Sequence, residues 1–453
     1  TTPDYGHLPR DPEGHYRSQK LPAMRGEFIR LKPRIEGLPG QENWQRYLDD
    51  PKKLIVLDLF SGAGGLSFGF QEAGFFIAAG VDIEPWAAMS HGYNFLSKSI
   101  IQDISHITDP AQFLRELGIP RVDVIIGGPP CQGFARIGRG KLRSIDREDH
   151  YKEVLNSLYR EFVRFVEILQ PMAFVMENVP DMARYDDGKL LERIKESFSD
   201  YDVDHRILDA VHAGVPQRRQ RLFVQGNRLG LKVRWPPLVV AQRPVTVRDA
   251  ISDLPVRTPP SLEEVLPYCA ETLTDYQALM RRKVLPEHRD KIFDHIIRQV
   301  RDDDRVIFGL LPEGGKYRDL PKELQRYRTD IFDDKYWRLI NSEPSWTVTA
   351  HIRKDAYRYI HPEQCRTLSI REFARLQSFP DHFRFAGPRT ERLRQIGNAV
   401  PPLLAETIAK SLYHQLVTRR AWDRRRAPQN TVESQLEFIL ETVEIEMAHG
   451  AGS

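Results

Sequence analysis

The chain has 453 residues, 41% hydrophobic and 28% charged, with 66 Lys and Arg against 63 Asp and Glu for a net charge of +3. That length supports two or three domains and a sizeable core, and the near-balance of charge confines any nucleic-acid surface to local patches. No stretch approaches the roughly 18 uninterrupted apolar residues of a membrane span, and the polar, proline-rich start has no apolar signal-peptide core. Cys131, Cys269 and Cys365 are an odd number without C-x-x-C spacing. They argue against a disulfide framework or a zinc site and suit a reducing cytoplasm.

Residues 1–51 are rich in Pro, Gly and charge and read as an extension. From Lys53 the texture changes. "KLIVLDLF" (53–60) is a continuous apolar run, as a fully buried parallel strand requires. "SGAGG" follows, and "LSFGFQEAG" predicts a helix ending at Gly74. "FFIAAGVD" (75–82) and "RVDVIIGGPP" (121–130) predict two more strands, the latter stopped by Gly and Pro. "LYREFVRFVEILQP" (158–171) has helical spacing, and "MAFVMENV" (172–179) reads as the next strand. The alternation predicts an α/β fold with a Rossmann-like, mostly parallel, doubly wound sheet.

The rhythm fails after Trp235, and residues 236–345 are irregular, with 18 basic and 19 acidic residues. Order resumes with "WTVTAHI" (346–352) and the helix-like "LSIREFARLQSF" (368–379). "GNAVPPLLAETIAKSLYHQLV" (397–417) reads as a turn followed by an amphipathic helix. A basic segment and an acidic tail end the chain. The simplest layout is one α/β domain in two parts, 52–235 and 346–425, interrupted by a smaller irregular domain at 236–345 and followed by a tail at 426–453.

Four features carry chemistry. The glycine turn after the first strand opens a helix, where backbone amides meet ligands. Asp82 ends the second strand about 20 residues beyond the first loop glycine, the place of a ribose-binding carboxylate. The G-x-G-G spacing disfavours NAD and leaves S-adenosylmethionine as a strong competitor; Asp103, in "IIQDISHI", is either an adenine partner or a solvated turn carboxylate. Cys131 follows a strand at the carboxyl edge of the sheet, behind Pro129 and Pro130, with Arg136, Arg139, Lys141, Arg143 and Arg147 after it. Cationic surroundings favour the thiolate nucleophile. Glu177 leaves an apolar strand at the same edge and is either a structural hydrogen-bonder or an acid of raised pKa. Arg219 and Arg221, two apart, would point the same way on a strand.

The blocks "DLFSGAGGLSFGFQEAGF", "GVDIEPWA", "QDI", "GGPPCQGF", "ENV", "QRRQRLF", "RTLSIREFARLQSFPD" and "GNAVPP" occur in one order. On these eight blocks the chain resembles the DNA (cytosine-5) methyltransferases of prokaryotic type, over roughly residues 53–235 and 346–415. The resemblance implies S-adenosylmethionine as cofactor, double-stranded DNA as partner, a flipped target base and no metal. It implies catalytic roles for Cys131, Glu177, Arg219 and Arg221. Cofactor contacts would fall to Phe60, Gly62, Gly64, Gly65, Leu66, Asp82, Ile83, Asp103, Ile104, Pro130, Asn398 and Val400. Gln132, Arg136, Arg139, Lys141 and Arg143 would form a loop closing on DNA, and 236–345 would be the target recognition domain. The expected protein is a monomer in the prokaryotic cytoplasm, at the nucleoid, with a cognate restriction or defence-system partner left open. Ala135 departs from the family, which usually has Ser there. A tRNA cytosine-5 methyltransferase is disfavoured because its Cys-Phe-Thr tripeptide is missing. An NAD oxidoreductase is disfavoured by the glycine spacing, and an inactive DNA-binding relative by the joint presence of Cys131, Glu177 and Arg221.

Overall fold

Strand β1 (Ile55–Leu59) is buried at every position because both faces of the sheet are covered. Leu54 and Val56 enter one apolar core and Ile55, Leu57 and Leu59 the other, the period of two that a strand imposes. The structure, a computed structural model, describes residues 41–50, 52–95, 97–130, 148–237, 243–258, 262–325, 335–354 and 356–426. Most of the N-terminal extension, Cys131 with its following loop, and the acidic tail lie outside them.

Six further strands complete the sheet: β2 (Phe76–Asp82), β3 (Lys98–Ile101), β4 (Val124–Gly127), β5 (Ala173–Asn178), β6 (Asp202–Asp209) and β7 (Gln220–Asn227). Their order is β3-β2-β1-β4-β5-β7-β6. The first five pair in parallel, whereas β7 runs antiparallel to both β5 and β6. The sheet is therefore mostly parallel and Rossmann-like, as the sequence predicts. Strand order reverses between β1 and β4, so the turns leaving these strands, "SGAGG" and "GGPP", meet at one crevice.

Helix Glu148–Leu169 covers one face through Phe162, Val163, Phe165 and Val166. The other face is covered by the returning chain: helices Ile370–Leu376, Arg389–Asn398 and Pro402–Arg426. Helix Gly65–Glu72 meets the last of these across two glycines. A Cβ on Gly69 would lie 2.4 Å from the Ala405 Cβ, and one on Gly65 would lie 2.3 Å from the Val400 oxygen. No side chain fits there, and the return segment can lie directly on the glycine turn.

Two strands carry no sequence signal. β6 is an edge strand, "DVDHRILD", with only Leu208 buried, so its apolar content is low; β3 has four residues. "WTVTAHI" forms no strand. Ser345 makes an isolated parallel bridge to Gln217, and Ala350–Arg353 is a 3-10 turn.

The middle region divides by packing. Val247, Ile251, Tyr276, Met280, Ile292 and Ile296 share a core with Ile370, Phe373 and Leu376. Val300, Ile307, Phe308, Tyr317 and Tyr336 instead build a small separate cluster with Tyr357 and Ile360.

Candidate functional site

The glycine turn leaves β1 with three left-handed residues: Phe60 (φ 59°), Gly62 (φ 55°) and Gly64 (φ 99°). Left-handed phenylalanine is costly and marks a turn held by its surroundings. Asp82, at the end of β2, holds it. Its Oδ2 accepts the Gly62 N–H at 2.7 Å and its Oδ1 the Glu84 N–H at 2.8 Å. Burial raises the Asp82 pKa despite these two bonds.

A Cβ on Gly62 would meet nothing within 4 Å, so space is open above the turn. Ile83 and Ile101, at the ends of β2 and β3, are 60% and 56% exposed. A carboxylate, an open glycine turn and two bare aliphatic side chains suit a ribose and a base. Asp103 caps the turn Ile104–His106, accepting the Ser105 N–H at 3.0 Å and its Oγ–H at 2.7 Å, which holds its carboxyl low. The Leu66 and Ile104 side chains are buried in the two cores, so only their backbones can face a ligand. Val400 is buried against Gly65 and Asn398 is exposed.

Five residues outside the predicted set lock this half. Arg394 forks onto Glu84 at 2.6 and 2.5 Å, tying the return segment to the loop after Asp82. Below the turn, Ser67 Oγ donates to Asp58 Oδ2 at 2.6 Å, and His91 Nε2 lies 3.1 Å from the same hydroxyl. Burial pushes Asp58 up to about 7 and His91 down to about 3, so both favour their neutral forms. Between the ordinary carboxyl pKa and about 7 the unfolded chain is ionised at Asp58 while the folded chain keeps the proton. Stability therefore falls as pH rises through that window. Asp58→Asn removes the penalty: its melting temperature should gain on wild type from pH 5 to about pH 7 and level off above that. A gap that does not change with pH refutes this reading of Asp58.

The second half is built on β4, β5 and β7. Glu177 sits at the end of β5, and a Cβ on Gly128 would lie 2.9 Å from its Oε2. Only glycine lets the "GGPP" turn approach that carboxylate. Asn178 Nδ2 donates to the Pro129 oxygen at 3.1 Å, fixing the approach to Pro130, the last described residue before Cys131. Arg221 Nε lies 2.9 Å from Glu177 Oε1, with side-chain exposures of 14% and 12%. Burial raises the Glu177 pKa, opposed by Arg221 and Arg219. The carboxyl and the guanidinium thus face one small region beside the proline turn.

Arg219 departs from its expected placement. It precedes β7, is fully buried, and donates to the carbonyls of Val348 (2.5 Å), Gly397 (3.0 Å) and Ala399 (2.9 Å). It does not share the outlook of Arg221: its guanidinium is committed to the return segment, which a spacing argument from strand geometry misses because the strand begins at Gln220. Gln217 works beside it, donating to the Leu376 oxygen and Gln377 Oε1 and accepting the Val348 N–H. Gln377 continues to the Ile396 oxygen at 2.7 Å. Both glutamines lie inside recognised blocks, yet their pairing is invisible in one dimension.

Cys131, Gln132, Arg136, Arg139, Lys141 and Arg143 lie outside the described residues. Among the described residues no group of three or more His, Cys, Asp and Glu could hold a metal, and no helix is long and apolar enough to cross a membrane. Cys269 and Cys365 are exposed and unpaired with each other.

The family profile described as "C-5 cytosine-specific DNA methylase" matches residues 54–414. The type II methyltransferase M.Bpa9945I of Bacillus paralicheniformis is 32% identical, over 79% of this chain and 98% of its own length. The type II methyltransferase M1.HphI of Haemophilus parahaemolyticus is 35% identical, over 81% and 88%. A crystal structure of a prophage-encoded E. coli protein described as a DNA modification methyltransferase superposes with a TM-score of 0.65 at 30% identity, covering 80% of this chain and 99% of that one.

Proposed function

Because this chain belongs to the C-5 cytosine-specific DNA methylase family, we propose that this DNA methyltransferase methylates carbon 5 of cytosine within a specific double-stranded DNA sequence, with Cys131 as covalent nucleophile. The observation that carries the reading is the Glu177–Arg221 pair packed against Gly128, three residues before Cys131 in the sequence.

The target base must leave the duplex to meet these groups. The Cys131 thiolate adds to carbon 6, and the displaced π electrons move toward carbon 5 and ring nitrogen 3. Glu177, biased by burial toward its protonated form, donates its proton or a hydrogen bond at nitrogen 3 and faces the exocyclic amine. Arg221 donates to the base carbonyl. Both groups stabilise charge that exists only after the thiolate has added. S-adenosylmethionine, when bound, supplies the electrophilic methyl group. Asp82 would hold its ribose, Ile83 its base, and the turn Phe60–Gly65 with Asn398 and Val400 its remaining length. After transfer, carbon 5 releases its proton to solvent, the carbon–sulfur bond breaks to return the thiolate, and nitrogen 3 gives back to Glu177 any proton it received. Gln132, Arg136, Arg139, Lys141 and Arg143 would close over the DNA backbone. The cluster around Phe308 and Tyr336 is the part of the middle region left free for base readout. The curated relatives' type II names make a cognate restriction enzyme the expected partner.

Bisulfite sequencing of plasmid DNA from a methylation-deficient host expressing the chain tests the reading. One recurring protected cytosine context is expected; background conversion from folded, cofactor-binding protein overturns it. Cys131→Ser should lose methylation entirely while S-adenosylmethionine binding, measured by calorimetry, stays at the wild-type level. Turnover near the wild-type rate would mean another residue is the nucleophile.

A further inference from the structure

We propose that Arg394 is a positioning residue for S-adenosylmethionine: its fork on Glu84 sets the loop that carries Asp82, so the docked return segment completes the ribose-binding half of the site. The inference rests on reading Asp82 as the ribose carboxylate and adds a residue outside the expected contact set.

The connection is short, and each link is a direct contact. Arg394 Nη1 and Nη2 lie 2.6 and 2.5 Å from the two carboxylate oxygens of Glu84. The Glu84 N–H donates to Asp82 Oδ1 at 2.8 Å, and Asp82 Oδ2 accepts the Gly62 N–H at 2.7 Å. A shift of Glu84 is therefore a shift of the Asp82 carboxylate and, through it, of the glycine turn.

Glu84 is not spent on its own helix. It occupies the N-cap of helix Pro85–Asn94 in extended backbone (φ −89°, ψ 112°), yet its side chain makes no capping bond. A carboxylate there ordinarily turns back onto the first amides of the helix. This one turns instead to a guanidinium 310 residues away in the sequence. Arg394 holds the Glu84 carboxyl below its ordinary pKa. Burial raises the Asp82 pKa, and the Arg394 charge is among the groups opposing that rise. Arg394 thus favours the ionised Asp82 that accepts ribose hydroxyls.

Its place on helix Arg389–Asn398 suits this task better than holding the fold. Residues four apart share a helix face, so Arg394 lies on the face of Asn398. Two residues beyond Asn398, the Val400 oxygen rests on Gly65. Other groups anchor the helix. Buried Arg392 pairs with Glu264 and Asp294, Ser90 Oγ donates to Gln395 Oε1 at 2.6 Å, and Leu393 and Ile396 enter the core. Glu391, one turn back, lies 2.6 Å from Arg394 Nη2 and steadies the fork. The side chains of Arg394 and Glu84 are 20% and 43% exposed, and an ion pair that open adds little to stability. Removing Arg394 should loosen the ribose loop and leave the fold intact.

Calorimetric titration of the full chain with S-adenosylmethionine, paired with steady-state methylation, is the test. Arg394→Ala should weaken cofactor affinity and raise its KM roughly tenfold, an ordinary size for coupling between two positions. Its kcat at saturating cofactor and its melting temperature should stay near wild type. Arg394→Lys, which keeps the charge but not the fork, should recover part of the affinity. Glu84→Gln should approach Arg394→Ala, and the double variant should be no worse than either, because all three break one contact. If Arg394→Ala fails to fold, Glu84→Gln and Arg394→Lys carry the same measurement. Wild-type affinity in folded Arg394→Ala overturns the positioning role, as does a loss confined to kcat. A double variant whose loss is the product of the two single losses overturns it too. Asp82→Asn that binds the cofactor normally would overturn the ribose assignment and the role of Arg394 with it. Wild type that binds the cofactor but never methylates DNA would overturn the enzymatic reading alone, and the affinity loss in Arg394→Ala would still uphold the positioning role.

Discussion

Arg221→Ala should lower methyl transfer by a factor of about a hundred or more without affecting cofactor affinity, the usual scale for loss of one transition-state donor. Arg219→Ala should do the opposite first: weaken S-adenosylmethionine binding and melt at lower temperature. The contrast follows from what each guanidinium touches. Among the described residues Arg221 meets the Glu177 carboxylate and the Gln220 carbonyl, near the surface of the site. Removing it takes away a donor to the base and leaves Glu177 with a still higher pKa. Arg219 is buried on three carbonyls of the return segment, and its loss strands them at about 1–3 kcal/mol each. Two of those carbonyls, Gly397 and Ala399, come just before Val400 in the chain, and the Val400 oxygen rests on Gly65, so the damage reaches the glycine turn. Calorimetric titration with the cofactor and single-turnover methylation separate the two effects. Arg219→Ala with normal cofactor affinity and a purely kinetic defect would return Arg219 to the base.

Arg375→Met should be the most destabilising single change, costing about 3–5 kcal/mol, the range for stripping one partner from a buried ion cluster. Arg375 has no exposed surface and bridges Asp253 and Asp381, contacting Asp253 through both terminal nitrogens and Asp381 at 2.9 and 2.7 Å. Asp253 belongs to the middle region and Asp381 to the return segment, so the guanidinium welds the two. In wild type Arg375 holds Asp381 down to about 2. A carboxyl depressed this way stabilises the fold above its ordinary pKa and loses that contribution as pH falls through the depressed value. Without Arg375 the sign reverses for whatever buried carboxylate charge Arg281, 2.9 Å from Asp381, leaves unmatched, because burial then favours the protonated form. The variant should melt roughly 3–6 °C below wild type at pH 7 and recover part of the difference at pH 5. A constant deficit at both pH values would show that lost packing, not charge, is responsible.

A similar layer joins Arg371, Arg384 and Arg392 to Asp294, which stays ionised although fully buried. In the sequence these residues are a near-neutral balance of charge spread along irregular chain. Buried, they make residues up to about 297 one body with the return segment, leaving the cluster around Phe308 and Tyr336 apart.

The sequence by itself determined the central strands, because a strand buried on both faces must be apolar without interruption. It also determined the glycine turn, Asp82 and Glu177, because those positions follow strand ends where chain geometry is local. The edge strand β6 escaped it, since one exposed face dilutes the apolar signal. What only the tertiary structure decided are contacts between residues far apart in the chain: Arg219 on the carbonyls at 348, 397 and 399, Arg394 on Glu84, Ser67 and His91 against Asp58, and Lys316 on Trp337. An arginine reads the same in one dimension whether it faces DNA or a buried carbonyl. Its role is set by which segment folds back over it, and that is a property of the core rather than of the motif.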